Sequence, residues 1–198
     1  MIYVILLPIV IELPKIILAS ASPRRAEILR TVGWPFDTLA VDINESRRPD
    51  EEAGAYVQRL AREKAETAAA RTVGLNVVGA DTTVVIEGQI LEKPLDENDA
   101  GRMIGLLSGR WHRVLTGVAV FDRKNAVTRV AIQETEVKFA AMSDDEIDWF
   151  VATGEPMDKA GGYAIQGAGA RFIERIKGDY FNVMGLPLRL LYELFLEL

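Results

Sequence analysis

Leu18-Ala19-Ser20-Ala21-Ser22-Pro23-Arg24-Arg25 is the stretch on which the reading of this chain turns. The apolar run Lys15-Ile16-Ile17-Leu18 before it reads as a strand. Pro23 suits the first position of a helix, where a fixed φ and a missing N–H carry no penalty. That makes Ser22 the N-cap, and Ala26, Ile28 and Leu29 carry the helix to a stop at Gly33. A helix N-terminus attracts anions through its free N–H groups and its dipole. Arg24 and Arg25 in the first turn oppose that dipole. A local rule broken at a strand–helix junction points to function, and a phosphate group is the simplest ligand. Taken alone, the two arginines are equally consistent with pairing to surface carboxylates.

Composition narrows the choice. With 198 residues, 49% of them hydrophobic, the chain can bury a sizeable core in one large domain or two small lobes. There is no cysteine, which excludes disulfides and thiolate metal sites and permits a reducing cytoplasm. The one histidine, His112, has no G-x-S-x-G elbow beside it, so acyl-transfer machinery is not indicated. A net charge of −6 disfavours a nucleic-acid binder, which needs a basic face. Met1 to Ile11 is almost wholly apolar, and Ala19-Ser20-Ala21 mimics a signal-peptidase site. No Lys or Arg precedes that run, Pro8 interrupts it, and it is too short to span a membrane. Residues 1–14 read as an apolar extension, and residues 15–198 as a single domain in a cytoplasmic protein.

Along the chain, Trp34 to Val41 alternates like a strand, and Asp42 to Glu52 is a polar loop holding Glu45. Ala53 to Arg71 is a helix with Val57, Leu60, Ala61, Ala65 and Ala68 on one face. Leu75 to Gly79 is a buried-type strand ending at Ala80-Asp81-Thr82-Thr83, after which Val84-Val85-Ile86 runs to a turn at Glu87-Gly88. Asp96 to Leu107 is a second amphipathic helix. Val114 to Phe121 and Ala126 to Phe139 read as an antiparallel pair. Ser143 and Glu146 form a capping box. A short strand at Ala170 to Ile176 and a helix from Leu186 to Leu198 close the chain. Interleaved strands and helices around a central hairpin predict an α/β fold with a mixed sheet. His112, Trp34 and Trp149 read as packing residues, and the glycines at 161, 162, 167 and 169 as turn formers.

Asp81 lies where α/β proteins usually place ligands, at the end of a hydrophobic strand. Lys64 falls beside Leu60 and Ala61 on the apolar side of its helix, and Lys93 follows a strand in Leu91-Glu92-Lys93-Pro94. Taken singly, each is more often a surface residue. Together with Arg24, Arg25 and Glu45 they supply four cations and two carboxylates, the inventory for a metal-bound polyphosphate. Magnitude argues for the metal: water at a pKa near 15.7 and Asp near 3.9 differ by about 12 units, roughly 16 kcal/mol. A bound divalent ion removes much of that gap.

These strings resemble the Maf proteins, nucleoside triphosphate pyrophosphatases related in fold to the inosine triphosphate pyrophosphatases. LASASPRRAEIL, RLAREKA, VVGADTTVV, LEKP, LSGRWHRVLTGVAV, GEPMDKAGGYAIQGAGARFI and YFNVMGLPL carry the resemblance in order. The resemblance implies a mixed, elongated central sheet flanked by helices, with two lobes around an active-site cleft. It implies cleavage between the α- and β-phosphates. By motif match Asp81 would be the proton acceptor or a metal-bound carboxylate, and Glu45 would help it hold Mg²⁺ or Mn²⁺. Lys64, Lys93, Arg24 and Arg25 would neutralise the triphosphate, with Ser20 and Ser22 at the same junction. Arg24, Thr82 and Gln166 look like the branch acting on dTTP and UTP, and an amide suits a pyrimidine edge as donor and acceptor. A homodimer with no nucleic-acid or membrane partner is the implied assembly. Two other readings stand beside this one: a pyrophosphatase for non-standard or modified nucleotides, and a nucleotide-binding regulator of septum formation.

Overall fold

A seven-stranded mixed sheet organises the molecule. The computed structural model describes residues 12–198, so most of the 1–14 extension lies outside the described residues. In chain order the strands are β1 (Ile16–Leu18), β2 (Phe36–Thr38), β3 (Asn76–Ile86), β4 (Gln89–Leu91), β5 (Trp111–Asp122), β6 (Val127–Phe139) and β7 (Ile173–Lys177). The helices are α1 (Pro23–Thr31), α2 (Ala53–Ala69), α3 (Glu97–Leu107), α4 (Asp144–Ala152), α5 (Tyr180–Met184) and α6 (Leu188–Leu196). Strand order is β2-β1-β3-β5-β6-β7, with β4 paired to β3. β1 runs parallel to β2 and β3, and the other pairings are antiparallel.

The strand that positions the site is β3. Its eleven residues pair with β5 along one edge from Val77 to Val85. On its other edge β1 covers Asn76 to Val78 and β4 covers Val84 to Ile86. Residues 79–83 therefore have no strand on that edge, and the gap opens a cleft at Asp81. This corrects the expectation that Asp81 ends a strand. The strand runs through Asp81, because the β5 ladder is continuous there, and only its neighbour on the other edge stops.

Alternation along β3 then sorts the side chains. One face packs on α2. Gly79 lets α2 lie directly on the sheet, since a Cβ there would come within 2.2 Å of the Ala61 carbonyl oxygen. Gly117 of β5, opposite Asp81, does the same against the Val57 carbonyl oxygen at 2.3 Å. The α2 face foreseen from spacing is buried at Val57, Leu60, Ala61, Ala65 and Ala68. The other face of the sheet carries two cores. Val78, Ala80, Val118 and Val120 pack with α1 and α6, while Val84 and Val114 pack with α3, Phe139 and Phe150. Between them the register pairs Thr82 with Thr116, whose hydroxyl oxygens lie 3.0 Å apart. That polar pair divides the two cores beneath the cleft.

Other expectations hold with shifted ends. The Ser143–Glu146 capping box is present, and β2 is three residues rather than the stretch from Trp34 to Val41. α5, capped by Asp179, was not visible as a periodic pattern because it is only five residues long. His112 and Trp34 are buried, as expected for packing residues. Trp149 differs: it is 44% exposed, with the Arg171 guanidinium 4.8 Å from its ring centroid. It sits at the margin of α4, where a cation replaces packing on its outer face. No helix among the described residues is long and apolar enough to cross a membrane.

Candidate active site

All ten residues singled out from sequence line one cleft of about 610 Å³: Ser20, Ser22, Arg24, Arg25, Glu45, Lys64, Asp81, Thr82, Lys93 and Gln166. At its centre the Lys64 ammonium lies 2.6 Å from Asp81 Oδ1 and 2.6 Å from Glu45 Oε1. Lys64 reaches Asp81 because Gly79 and Gly117 allow α2 to press onto the strands that carry the carboxylate. Burial pushes the Asp81 carboxyl above its usual range, and the opposing charges of Lys64 and Arg25 only partly offset this. Glu45 is half exposed and moves the other way: burial would raise it, but the Lys64 hydrogen bond and the charges of Lys64, Lys93 and Arg25 prevail. Two carboxylates side by side are thus tuned in opposite directions, the pattern expected where one holds charge and the other accepts a proton.

Glu45 comes from an irregular loop, so its position depends on clamps from α2. Arg59 donates to both Glu51 carboxylate oxygens, at 2.6 and 2.8 Å, and to the Ser46 carbonyl at 3.1 Å. The Arg59 hydrogen bonds pull the Glu51 carboxyl down to about 2. The Tyr56 hydroxyl lies 2.9 Å from the Glu45 carbonyl oxygen and 2.8 Å from Glu92 Oε1.

The Ser-Pro-Arg-Arg junction takes the predicted form with a different division of labour. Ser22 is the N-cap and Pro23 opens α1, yet the Ser22 side chain makes no capping bond. The Ser20 hydroxyl instead accepts from the Ser22 amide at 3.1 Å. Arg25 departs furthest from the expected free cation. It is 9% exposed and donates to the Gly185 carbonyl at 2.7 Å, Thr82 Oγ1 at 3.1 Å and Ser20 Oγ at 3.2 Å. Its charge acts on the cleft while its geometry braces β1, β3 and the end of α5. Arg24 remains at the rim, 3.4 Å from Asp158 Oδ2.

Four lining residues carry roles that sequence reading did not assign: Tyr56, Glu92, Asp158 and Lys159. Tyr56 lies eight positions before Lys64, so it shares that helix face, and Glu92 adjoins Lys93. Lys159 belongs to the GEPMDKAGGY string and donates to the Glu155 carbonyl at 2.6 Å. The segment carrying Gln166 is anchored through Tyr163, whose hydroxyl lies 2.6 Å from His112 Nε2.

The profile of the Maf-like protein family matches residues 15–198. The chain belongs to the Maf family. A relative from Geobacter sulfurreducens, named dTTP/UTP pyrophosphatase, is 52% identical over 177 residues, covering 89% of this chain and 93% of the relative. A protein of the same name from Symbiobacterium thermophilum is 49% identical over 174 residues, covering 88% and 89%. Among solved structures, the Staphylococcus aureus Ham1 protein aligns with a TM-score of 0.46 at 16% identity, covering 80% of this chain and 79% of that one. The family strings of this Maf chain fall on the cleft: the Ser-Pro-Arg-Arg junction, the α2 lysine, the β3 aspartate and the Gln166 segment all face it.

The divalent ion expected from the sequence resemblance can be set against the donors of the cleft. Among the described residues no cluster of three or more acidic or histidine ligands exists. Asp81 and Glu45 nonetheless converge on a single positive atom, the Lys64 nitrogen. Mg²⁺ is commonly held by one or two carboxylates together with substrate phosphates. Two are present here.

Proposed function

We propose that this protein hydrolyses dTTP and UTP to the nucleoside monophosphate and pyrophosphate. The observation that carries the proposal is the convergence of Asp81 and Glu45 on Lys64 inside a cleft ringed by Arg24, Lys93 and Lys159. The names of the Geobacter and Symbiobacterium relatives support it.

In this reading the triphosphate lies along the cationic rim, with its charge met by Arg24, Lys93 and Lys159. Water held beside Asp81 attacks the α-phosphorus. The bond from the α-phosphorus to the α,β-bridging oxygen breaks, its electron pair leaves with pyrophosphate, and the water proton passes to Asp81. A carboxyl raised by burial suits that task, since an acceptor closer to neutrality takes a proton from water at lower cost. Lys64 keeps Asp81 and Glu45 oriented and neutralises charge as it builds. Asp81 and Glu45 would hold a Mg²⁺ or Mn²⁺ ion, which supplies Lewis-acid stabilisation of the phosphate oxygens and a more acidic water. Gln166 would meet the pyrimidine edge through its amide, and Thr82 with Arg25 would set the cleft floor.

A panel of nucleotides assayed for pyrophosphate release, with and without a chelator, tests this. UTP and dTTP should turn over faster than inosine or guanosine triphosphates, and chelation should stop the reaction. Preference for a purine triphosphate would reassign the substrate. Binding of UTP without release of pyrophosphate would favour a sensing role instead.

A further inference from the structure

The phosphate-facing cations of the cleft already have an anion. Asp158 closes the 3-10 turn Glu155–Asp158, which faces the N-terminus of α1 across the mouth of the cleft. Its Oδ1 lies 2.5 Å from Lys159 Nζ and its Oδ2 lies 3.4 Å from Arg24 Nη1. The three side chains differ in how they are held. Lys159 is 12% exposed, and its nitrogen is fixed independently by the Glu155 carbonyl. Arg24 is 30% exposed at the start of α1. Asp158 is 68% exposed and reaches both from the solvent side. The lysine is built in, and the carboxylate is the replaceable member.

We propose that Asp158 is a resident counter-ion of the phosphate cradle, occupying Lys159 and Arg24 in the free protein and displaced by the polyphosphate. The inference rests on the reading of the cleft as a polyphosphate site and adds a function to a residue outside the reacting centre. Two cations facing each other without an anion repel, and a tethered carboxylate holds them ready at low cost. An exposed pair of this kind contributes little, so a triphosphate or pyrophosphate carrying several charges outcompetes it. The same competition works against product. Once the anhydride is cleaved, Asp158 returns to Lys159 and lowers the affinity for the departing pyrophosphate.

The test uses pyrophosphate itself as the probe, in calorimetric titrations of the full chain with Mg²⁺ present and absent. Asp158→Asn should bind pyrophosphate roughly two- to fivefold more tightly than the unmodified protein, the range an exposed pair supports. KM for UTP should fall in the same direction. The gain should act through the lysine: in Lys159→Gln, adding Asp158→Asn should change pyrophosphate affinity less than about twofold. Unchanged or weaker pyrophosphate binding by Asp158→Asn overturns the proposal, as does an equal gain in the Lys159→Gln background. Asp158→Ser provides a second variant, and loss of folding in both would also overturn it, because a displaceable counter-ion does not hold a fold together. Failure of the catalytic reading would show separately, as no pyrophosphate release from UTP or dTTP by the unmodified protein.

Discussion

Lys64 Nζ lies 2.6 Å from Asp81 Oδ1, and the two side chains are only 11% and 13% exposed. An ion pair this enclosed is asymmetric: removing Lys64 leaves the Asp81 charge buried, whereas removing the Asp81 charge leaves Lys64 still paired with Glu45 at 2.6 Å. Burial already pushes Asp81 toward its neutral form, so Asp81 is the partner whose charge costs more.

Asp81→Asn should therefore reduce pyrophosphate release from UTP by roughly 10²- to 10⁴-fold, the span of a lost general base. Its urea midpoint should stay at or above that of the unmodified protein. Lys64→Met should lose activity and also lower stability by about 2 kcal/mol, below the fully buried figure because the cleft leaves the pair partly wet. The opposite signs in urea titrations are the check. Equal destabilisation by both variants would show that the pair, not Asp81, bears the burial cost.

Gly117→Ala places a Cβ 2.3 Å from the Val57 carbonyl oxygen, a backbone atom that yields only if α2 moves. We expect a loss of about 2–3 kcal/mol in denaturant unfolding, typical of overpacking. Because α2 carries Lys64, residual folded protein should also turn over substrate more slowly. A fully active, equally stable variant would contradict the close approach of helix and sheet.

Tyr56→Phe keeps the ring in its buried cluster and removes one hydroxyl. That hydroxyl ties the Glu45 carbonyl and the Glu92 carboxylate to α2. Loss of the tether should raise the Mg²⁺ concentration needed for half-maximal activity by about tenfold, the effect of losing a supporting contact to a metal ligand. The unfolding midpoint should shift by no more than a few degrees. An unaltered metal requirement would free Glu45 from the role assigned to it.

His112 supplies a pH signature from behind the cleft, where its ring meets the Tyr163 hydroxyl. Burial lowers its pKa from 6.5 to about 4. Between these values the unfolded chain binds a proton that the folded protein refuses, so the contribution is whole above pH 6.5 and declines as pH falls toward 4. The full span is roughly 3 kcal/mol. Unfolding free energies measured from pH 7 to 5 should fall with acid in the unmodified protein and be flatter in His112→Gln. The Glu51 carboxyl, at about 2, adds a second decline only below about pH 4.5, outside that interval.

Local chemistry was legible in the sequence wherever a residue's role depends on near neighbours. Pro23 after Ser22, the 3.6-residue stripe of α2 and the Ser143–Glu146 box each specify a helix through contacts within one or two turns. Lys64 on that stripe and Lys93 before Pro94 were recognisable as cleft residues because the motifs recur in order along the chain. Tertiary structure alone decided what those residues do to one another. Asp81 reads in sequence as the end of a strand, and only the stopping of β1 and β4 on one edge of β3 opens a cleft beside a mid-strand carboxylate. Arg24 and Arg25 are identical neighbours in the chain, yet one stands at the rim and the other is bound to Gly185, 160 positions away. Gly79 and Gly117 look like ordinary strand glycines until α2 is laid across them. Periodicity and capping are short-range and survive in a one-dimensional reading, whereas burial, pKa and pairing depend on segments that meet only after the sheet has formed.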